Sequence, residues 1–220
     1  MDSTKRENPL YEAIEAAKLA TVSRLMVCLP GKIISYNPDN QRAQVECGIQ
    51  RKNGDSFETL SIIENVPVNF TGTKEWVVFH ELPAGTEGVI HFSQRAIDTW
   101  LDQGGPVAPH NMRMFSASDA FFSPGYRSLK TAIPNLPTSG MGMSNRDGSV
   151  RIHLADDGIT LTCAGVSLTV SPEGVTANGK TTLNGRTEVT SGGLAIGDIE
   201  FDDHAHGGVE RGSGVSDGPQ

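Results

Sequence analysis

The sequence predicts a mainly β protein: an amino-terminal helix and a small barrel, followed by a shaft wound from three identical chains. Three observations carry this. Composition changes sharply near residue 148, after which there is no Trp or Tyr and Gly, Thr and Ser dominate. Before that point, from Pro30 to about Leu101, apolar residues recur with a period of two in short runs. After it, shorter alternating units follow one another, each too poor in apolar surface to fold alone.

The composition sets the bounds. The 220 residues suffice for one compact domain and an extended second part. At 37% hydrophobic and 6% aromatic, the chain cannot be one large aromatic-rich core, and Gly 25 with Pro 12 favours turn-rich β architecture. A formal charge of −8 argues against binding nucleic acid or an anionic membrane surface. Cys28, Cys47 and Cys163 are widely spaced without a CxxC pair, which reads as reduced thiols in a chain made in the cytoplasm. No run approaches the ~20 apolar residues of a bilayer span. Met1 to Asn8 lacks the apolar centre of a signal peptide, so the chain is expected to be soluble when made and not exported by a standard route.

Residues 1–29 read as a helical segment. Asn8 caps it and Pro9 suits its first turn, while Leu10, Ile14, Ala17, Thr21 and Leu25 fall near one face. Glu12 and Glu15 early, with Lys18 and Arg24 late, match the helix dipole. Two roles are open to it: packing on its own domain, or docking on another protein.

Residues 30–126 read as the barrel. Lys32–Tyr36 and Arg42–Cys47 flank the turn Asn37-Pro38-Asp39-Asn40, giving a hairpin. Ile62–Phe70, Glu75–Phe79 and Val89–Ser93 supply three more strands, and five short strands fit a Greek-key barrel such as the OB-fold. Nucleic-acid binding by such a barrel needs a basic groove, whereas this one carries Glu46, Asp55, Glu58, Glu64, Glu75, Glu81 and Glu87. Ala96–Gln103 forms a short helix stopped by Gly104-Gly105-Pro106. Residues 127–147 follow as an extended linker, since Pro134 and Pro137 forbid a helix.

Residues 148–203 form the shaft. Val150, Ile152 and Leu154 share one face, as do Ile159, Leu161 and Cys163, and then Val166, Leu168 and Val170. Turn pairs punctuate the units: Asp157-Gly158, Ala164-Gly165, Glu173-Gly174, Asn178-Gly179 and Asn184-Gly185. Two or three small apolar residues per unit cannot offset ordering costs of ~1–2 kcal/mol per residue, and unpaired edges invite association. Identical chains wound about one axis remove both difficulties: strands pair with neighbours and apolar residues fill a central column. A single-chain β-solenoid is the other arrangement the pattern allows.

The tip and Gly-rich tail occupy residues 204–220. In extended chain His204 and His206 project to one side, so three chains offer six imidazoles, a donor set suited to a first-row transition metal. Exposed tail histidines are the plainer reading of an isolated His-x-His. The remaining histidines (His80, His91, His110, His153) fall in different elements, and Asp98 with Asp102 reads as a solvated helix face. No GxSxG, P-loop or HExxH motif is present, so no enzyme is expected.

Three stretches carry a resemblance: Val66-Pro67-Val68 through Gly88-Val89 to Arg95-Ala96-Ile97-Asp98-Thr99-Trp100; Ser118-Asp119-Ala120-Phe121 to Pro124-Gly125 and Arg127-Ser128; and His204-Ala205-His206-Gly207-Gly208-Val209 to Gly218-Pro219-Gln220. Together they resemble the central membrane-piercing spike, or baseplate assembly, family of contractile phage tails. The resemblance implies an OB-fold collar, an intertwined triple-stranded β-helix and a homotrimer. It implies one iron ion per trimer, held by His204 and His206 of each chain, with Asp202 and Asp203 unassigned. It further implies a baseplate hub partner gripping the amino-terminal and OB region, and the bacterial outer membrane as target. The location implied is the virion's distal tail tip, after assembly in the host cytoplasm. The alternatives are a trimeric β-helical tailspike that binds or cleaves surface polysaccharide, and the spike of a phage-related injection system. A polysaccharide-cleaving spike needs acidic pairs and aromatic platforms, and Phe201 is the shaft's only aromatic.

Overall fold

The computed structural model describes residues 8–23 and 25–201, in two compact units divided between Ile133 and Pro134.

The first unit opens with helix α1 (Pro9–Val22), started as its sequence dictates: Asn8 Oδ1 accepts the Leu10 N–H at 3.1 Å and Pro9 fills the first turn. None of its residues is buried, and Leu10, Ile14, Leu19 and Val22 stand exposed. The helix therefore does not pack into its own domain's core.

Strands β1 (Cys28–Asn37), β2 (Arg42–Cys47), β3 (Arg51–Asn53), β4 (Ser56–Glu58), β5 (Ile63–Pro67) and β6 (Glu87–Phe92) follow, then helix α2 (Asp98–Gln103) and strand β7 (Ala120–Pro124). Five of them make one antiparallel sheet in the order β5-β2-β1-β6-β7, while β3 and β4 pair as a separate hairpin. The sheet curls into a half-barrel: a parallel bridge joins Val68 to Phe122, and the Asn69 N–H donates to Phe122 O at 2.8 Å. Alternation fixes what lies inside. Ala43, Val45 and Cys47 of β2 point inward, meeting Ile33, Ile63, Val66, Ile90, Phe92 and Phe122 in one buried cluster. The β1–β2 turn is held as its residue types demand, Asn37 Oδ1 accepting from Asp39 N–H and Asn40 Oδ1 from Arg42 N–H.

Two strand assignments change. Glu75–Phe79 is not a strand but part of a loop, joined to itself by the Gly72–Val77 bridge. Its Trp-Val-Val-Phe run has no alternation, so it cannot present one face to a core. Conversely the period did not reveal β7, the last strand in the sheet order, because Ala120-Phe121-Phe122 is a continuous apolar run.

Close packing between β6 and β7 rests on a glycine. A Cβ at Gly88 would lie 2.4 Å from Ser123 O and 2.6 Å from Phe122 Cζ. Gly88→Ala should therefore destabilise the first unit by about 1–3 kcal/mol, seen as a lower urea midpoint at unchanged slope.

The second unit is an antiparallel meander: β8 (Met141–Ser144), β9 (Val150–Ala155), β10 (Gly158–Cys163), β11 (Val166–Ser171) and β12 (Gly174–Asn178), in the order β12-β11-β10-β9-β8. A small hairpin of β13 (Ala195–Ile196) and β14 (Ile199–Glu200) follows. The expected turn pairs make the meander: Ala164 and Gly165, at φ 46° and 93°, join β10 to β11 as a two-residue hairpin loop. Within the chain each of these strands pairs with its neighbours in sequence. The stretch read as linker contributes β8. Its glycines hid it from propensity, yet Gly142 is what lets β8 lie close, since a Cβ there would sit 2.2 Å from Ile152 O.

Candidate functional site

The second unit's sheet has one polar and one apolar face, and the register aligns them across all five strands. Leu161 lies opposite Ile152 on one side and Leu168 on the other; Ile159 lies opposite Leu154 and Val170. Met143 continues the first row beyond Ile152, and Ala177 ends it beyond Leu168. Because side chains alternate strictly, every large residue of β9, β10 and β11 that is apolar falls on this face.

The apolar face is the more exposed of the two. Leu161 retains 41% of its accessible surface, Ile152 37% and Met141 70%, whereas the opposite Thr and Ser positions are half-buried. On that polar side Arg151 Nε donates to Ser144 Oγ, His153 Nε2 meets Ser139 O, and Asn178 Nδ2 donates to Ser167 Oγ. Arg151, His153 and Asn178 thus find partners within the chain, whereas the apolar side chains stay in contact with solvent. Contiguous apolar surface on this scale marks an interaction site, and removing it from water is worth about 1 kcal/mol per half-exposed aliphatic residue. Among the described residues no strand extends the sheet beyond β8 or β12, so both edges keep free ladder groups.

The first unit contains a polar cluster that the sequence did not disclose. Asp119 is fully buried, and its carboxylate accepts the Ile97 N–H at 3.0 Å and two Arg113 N–H groups at 2.6 Å each. Arg113 also reaches Asp98 at 2.5 Å. Burial pushes the Asp119 carboxyl up, but the hydrogen bonds from Arg113 and Ile97 and the guanidinium charge outweigh it and leave the pKa lowered. Asp98 is therefore one end of a three-residue network rather than simply a solvated helix face. With Asp119 accepting from both a cation and a backbone N–H, the cluster pins the 93–119 segment onto the sheet. It has the character of a clamp, not of an acid–base pair.

The described histidines stay apart. His80 stacks on Phe70 with ring centroids 5.3 Å apart, His91 is paired with Cys28 in the β1–β6 ladder, and His153 belongs to β9. No group of three or more His, Cys, Asp or Glu able to hold a metal occurs among the described residues. His204 and His206, the predicted metal ligands, lie outside the described residues, as do Asp202 and Asp203. Cys47 is buried in the first unit's core, where desolvation, and then the neighbouring Glu46, push its thiol pKa up, as for an inert structural thiol.

The described residues thus hold a curled antiparallel sheet, a clamp and an unpartnered apolar face. In the family comparison, residues 29–125 match the model described as Phage protein Gp138 N-terminal domain. The match covers the half-barrel from the start of β1 to the end of β7, and it supports a phage-related structural protein, in keeping with a virion component. No curated protein matches the chain.

Proposed function

We propose that the chain is the trimeric central spike of a contractile phage baseplate, which pierces the bacterial outer membrane mechanically as the tail contracts. The observation that carries this reading is the solvent-facing apolar side of the second unit, on a chain whose first unit matches a phage-protein domain. Three copies placing that side around one axis would exclude water from it, while their Thr- and Ser-rich sides face outward. On this reading the half-barrel is an OB-fold collar, and the uncovered face of α1 joins it in gripping the baseplate hub. The 148–203 segment is the shaft, with interchain pairing taking place where the sheet edges meet and in the later units of the triple-stranded β-helix.

The mechanism is concentration of force. A narrow shaft of close-packed apolar residues is stiff because interiors pack at crystal-like density. No bond in the target needs to be broken chemically. At the point, His204 and His206 of each chain would hold a single iron ion. Imidazole nitrogens suit such a first-row metal, which would tie the three ends together against fraying. Replacing both histidines with Ala should abolish bound metal in elemental analysis of the purified protein while the trimer persists. Retention of stoichiometric metal would place the ligands elsewhere.

Location provides the functional test. A label on the chain should mark the distal end of the tail in electron micrographs of assembled particles. A label on the capsid, or along the sheath, would contradict the assignment.

A further inference from the structure

We infer that residues 71–80 form an arm by which each copy grips the next around the collar, Trp76 and Phe79 seating in the apolar groove at the root of α1. This rests on the trimer proposed above and adds the contact that joins its first units.

The arm is built in advance of any partner. Thr73 N–H donates to Trp76 O at 2.7 Å and Val78 N–H to Thr71 O at 2.8 Å, while Thr73 Oγ1 accepts from Trp76 N–H at 3.2 Å. Gly72 permits the close return of the chain, since a Cβ there would sit 2.5 Å from Trp76 O. At its base Phe70 packs against the core, with Tyr36 at 6.2 Å and His80 at 5.3 Å between ring centroids. This fixed support presents four successive apolar residues to solvent, Trp76 and Phe79 each 81% exposed. Tryptophan held out on an ordered backbone is the kind of anchor that dominates interfaces, because little entropy is lost when it docks.

The groove has matching size and charge. Leu25, Met26, Val27, Leu29, Ile49 and Leu60 line an open groove of about 250 Å³, a concave apolar surface suited to aromatic side chains. Arg51 and Lys52 stand at its margin, and Glu75 and Glu81 flank the arm's apolar run. Lys74 lies 3.6 Å from Glu75, but both are largely exposed, and such a surface pair is too weak to hold the carboxylate back. Opposite charges thus frame the knob and the hole.

Trp76 does not fill the groove of its own chain, as its exposure requires. A knob and a hole at different places on identical copies close either reciprocally about a two-fold axis or head-to-tail around a ring, and the trimer proposed above selects the ring. A three-fold axis closes it with each arm and each groove used once.

Cross-linking tests the arm separately from the trimer. Cys28 lines the groove and is exposed, Cys47 is buried, and Lys74 lies in the arm beside the aromatic run. The full chain carrying Lys74→Cys and Cys163→Ser, treated with a short bismaleimide, should give covalent trimer on a denaturing gel. Adding Trp76→Ser and Phe79→Ser should abolish that band, and neither exposed substitution should disturb the fold. A particle that sediments as a trimer but yields only uncrosslinked or internally linked chains would overturn the arm and leave the trimer standing. A product that stops at covalent dimer would also overturn it, because it signals a face-to-face contact. A monomeric particle would remove both.

Discussion

Leu161→Asp should convert the assembled protein to monomers. Leu161 sits at the middle of the apolar face, between Ile152 and Leu168, with 41% of its surface exposed in the single chain. If that surface were its final environment, an aspartate there would cost within about 0.5 kcal/mol, as surface substitutions do. In a three-fold column the same change places three carboxylates on one axis without counter-ions. Burying an unpaired charge costs several kcal/mol for each ion after relaxation, which exceeds the roughly 1 kcal/mol that each half-exposed leucine contributes by its burial. Size-exclusion chromatography with light scattering should report loss of the large species, with the first unit still folded by near-ultraviolet circular dichroism. Thr160→Asp, one residue away on the polar side, should leave the assembly intact.

The second large effect lies in the clamp. Asp119→Ala should destabilise the first unit by about 3 kcal/mol, the lower end of the range for breaking a buried ion pair, because Arg113 keeps 28% of its side-chain surface in water. The change removes the acceptor of the Ile97 N–H as well as two guanidinium bonds. The pH dependence follows from the lowered carboxyl pKa. A carboxylate with a depressed folded-state pKa contributes its full stability above the unfolded value, near 4, and loses it as pH falls through the folded value. Urea titrations should therefore show wild type losing its advantage over the variant only in the acid range, with a constant gap between pH 6 and 8.

Much of this architecture was legible in the residues, and where it was not the reason is physical. Alternation exposed β1, β2, β6, β9, β10 and β11, since each buries or presents one side only. Asn8 and Pro9 announced α1 because an Asn side chain meets an orphan N–H and Pro lacks one. Ala120-Phe121-Phe122 escaped the same reading: burial alternates there, but the half-buried Phe121 is as apolar as its inward neighbours, so residue type does not. Met141-Gly142-Met143 escaped for the opposite reason, glycine weakening the β signal while being needed for close approach. The Arg113–Asp119 pair joins residues six apart in a loop, where no period governs spacing, so only the fold brings it to light. The apolar stripes of the second unit were visible individually. What the structure adds is that they register into one continuous surface on a five-stranded sheet whose two edges stay open. The case for several copies thus rests on an uncovered face as well as on open sheet edges.

The mass of the intact particle tests that claim most directly. Sedimentation velocity or mass photometry of the full chain at micromolar concentration or below should give a single species of three times the 23.4 kDa chain mass, unchanged on dilution. A stable species at one chain mass, with β8 to β12 protected from hydrogen exchange, would show that the apolar face tolerates water and would contradict the account.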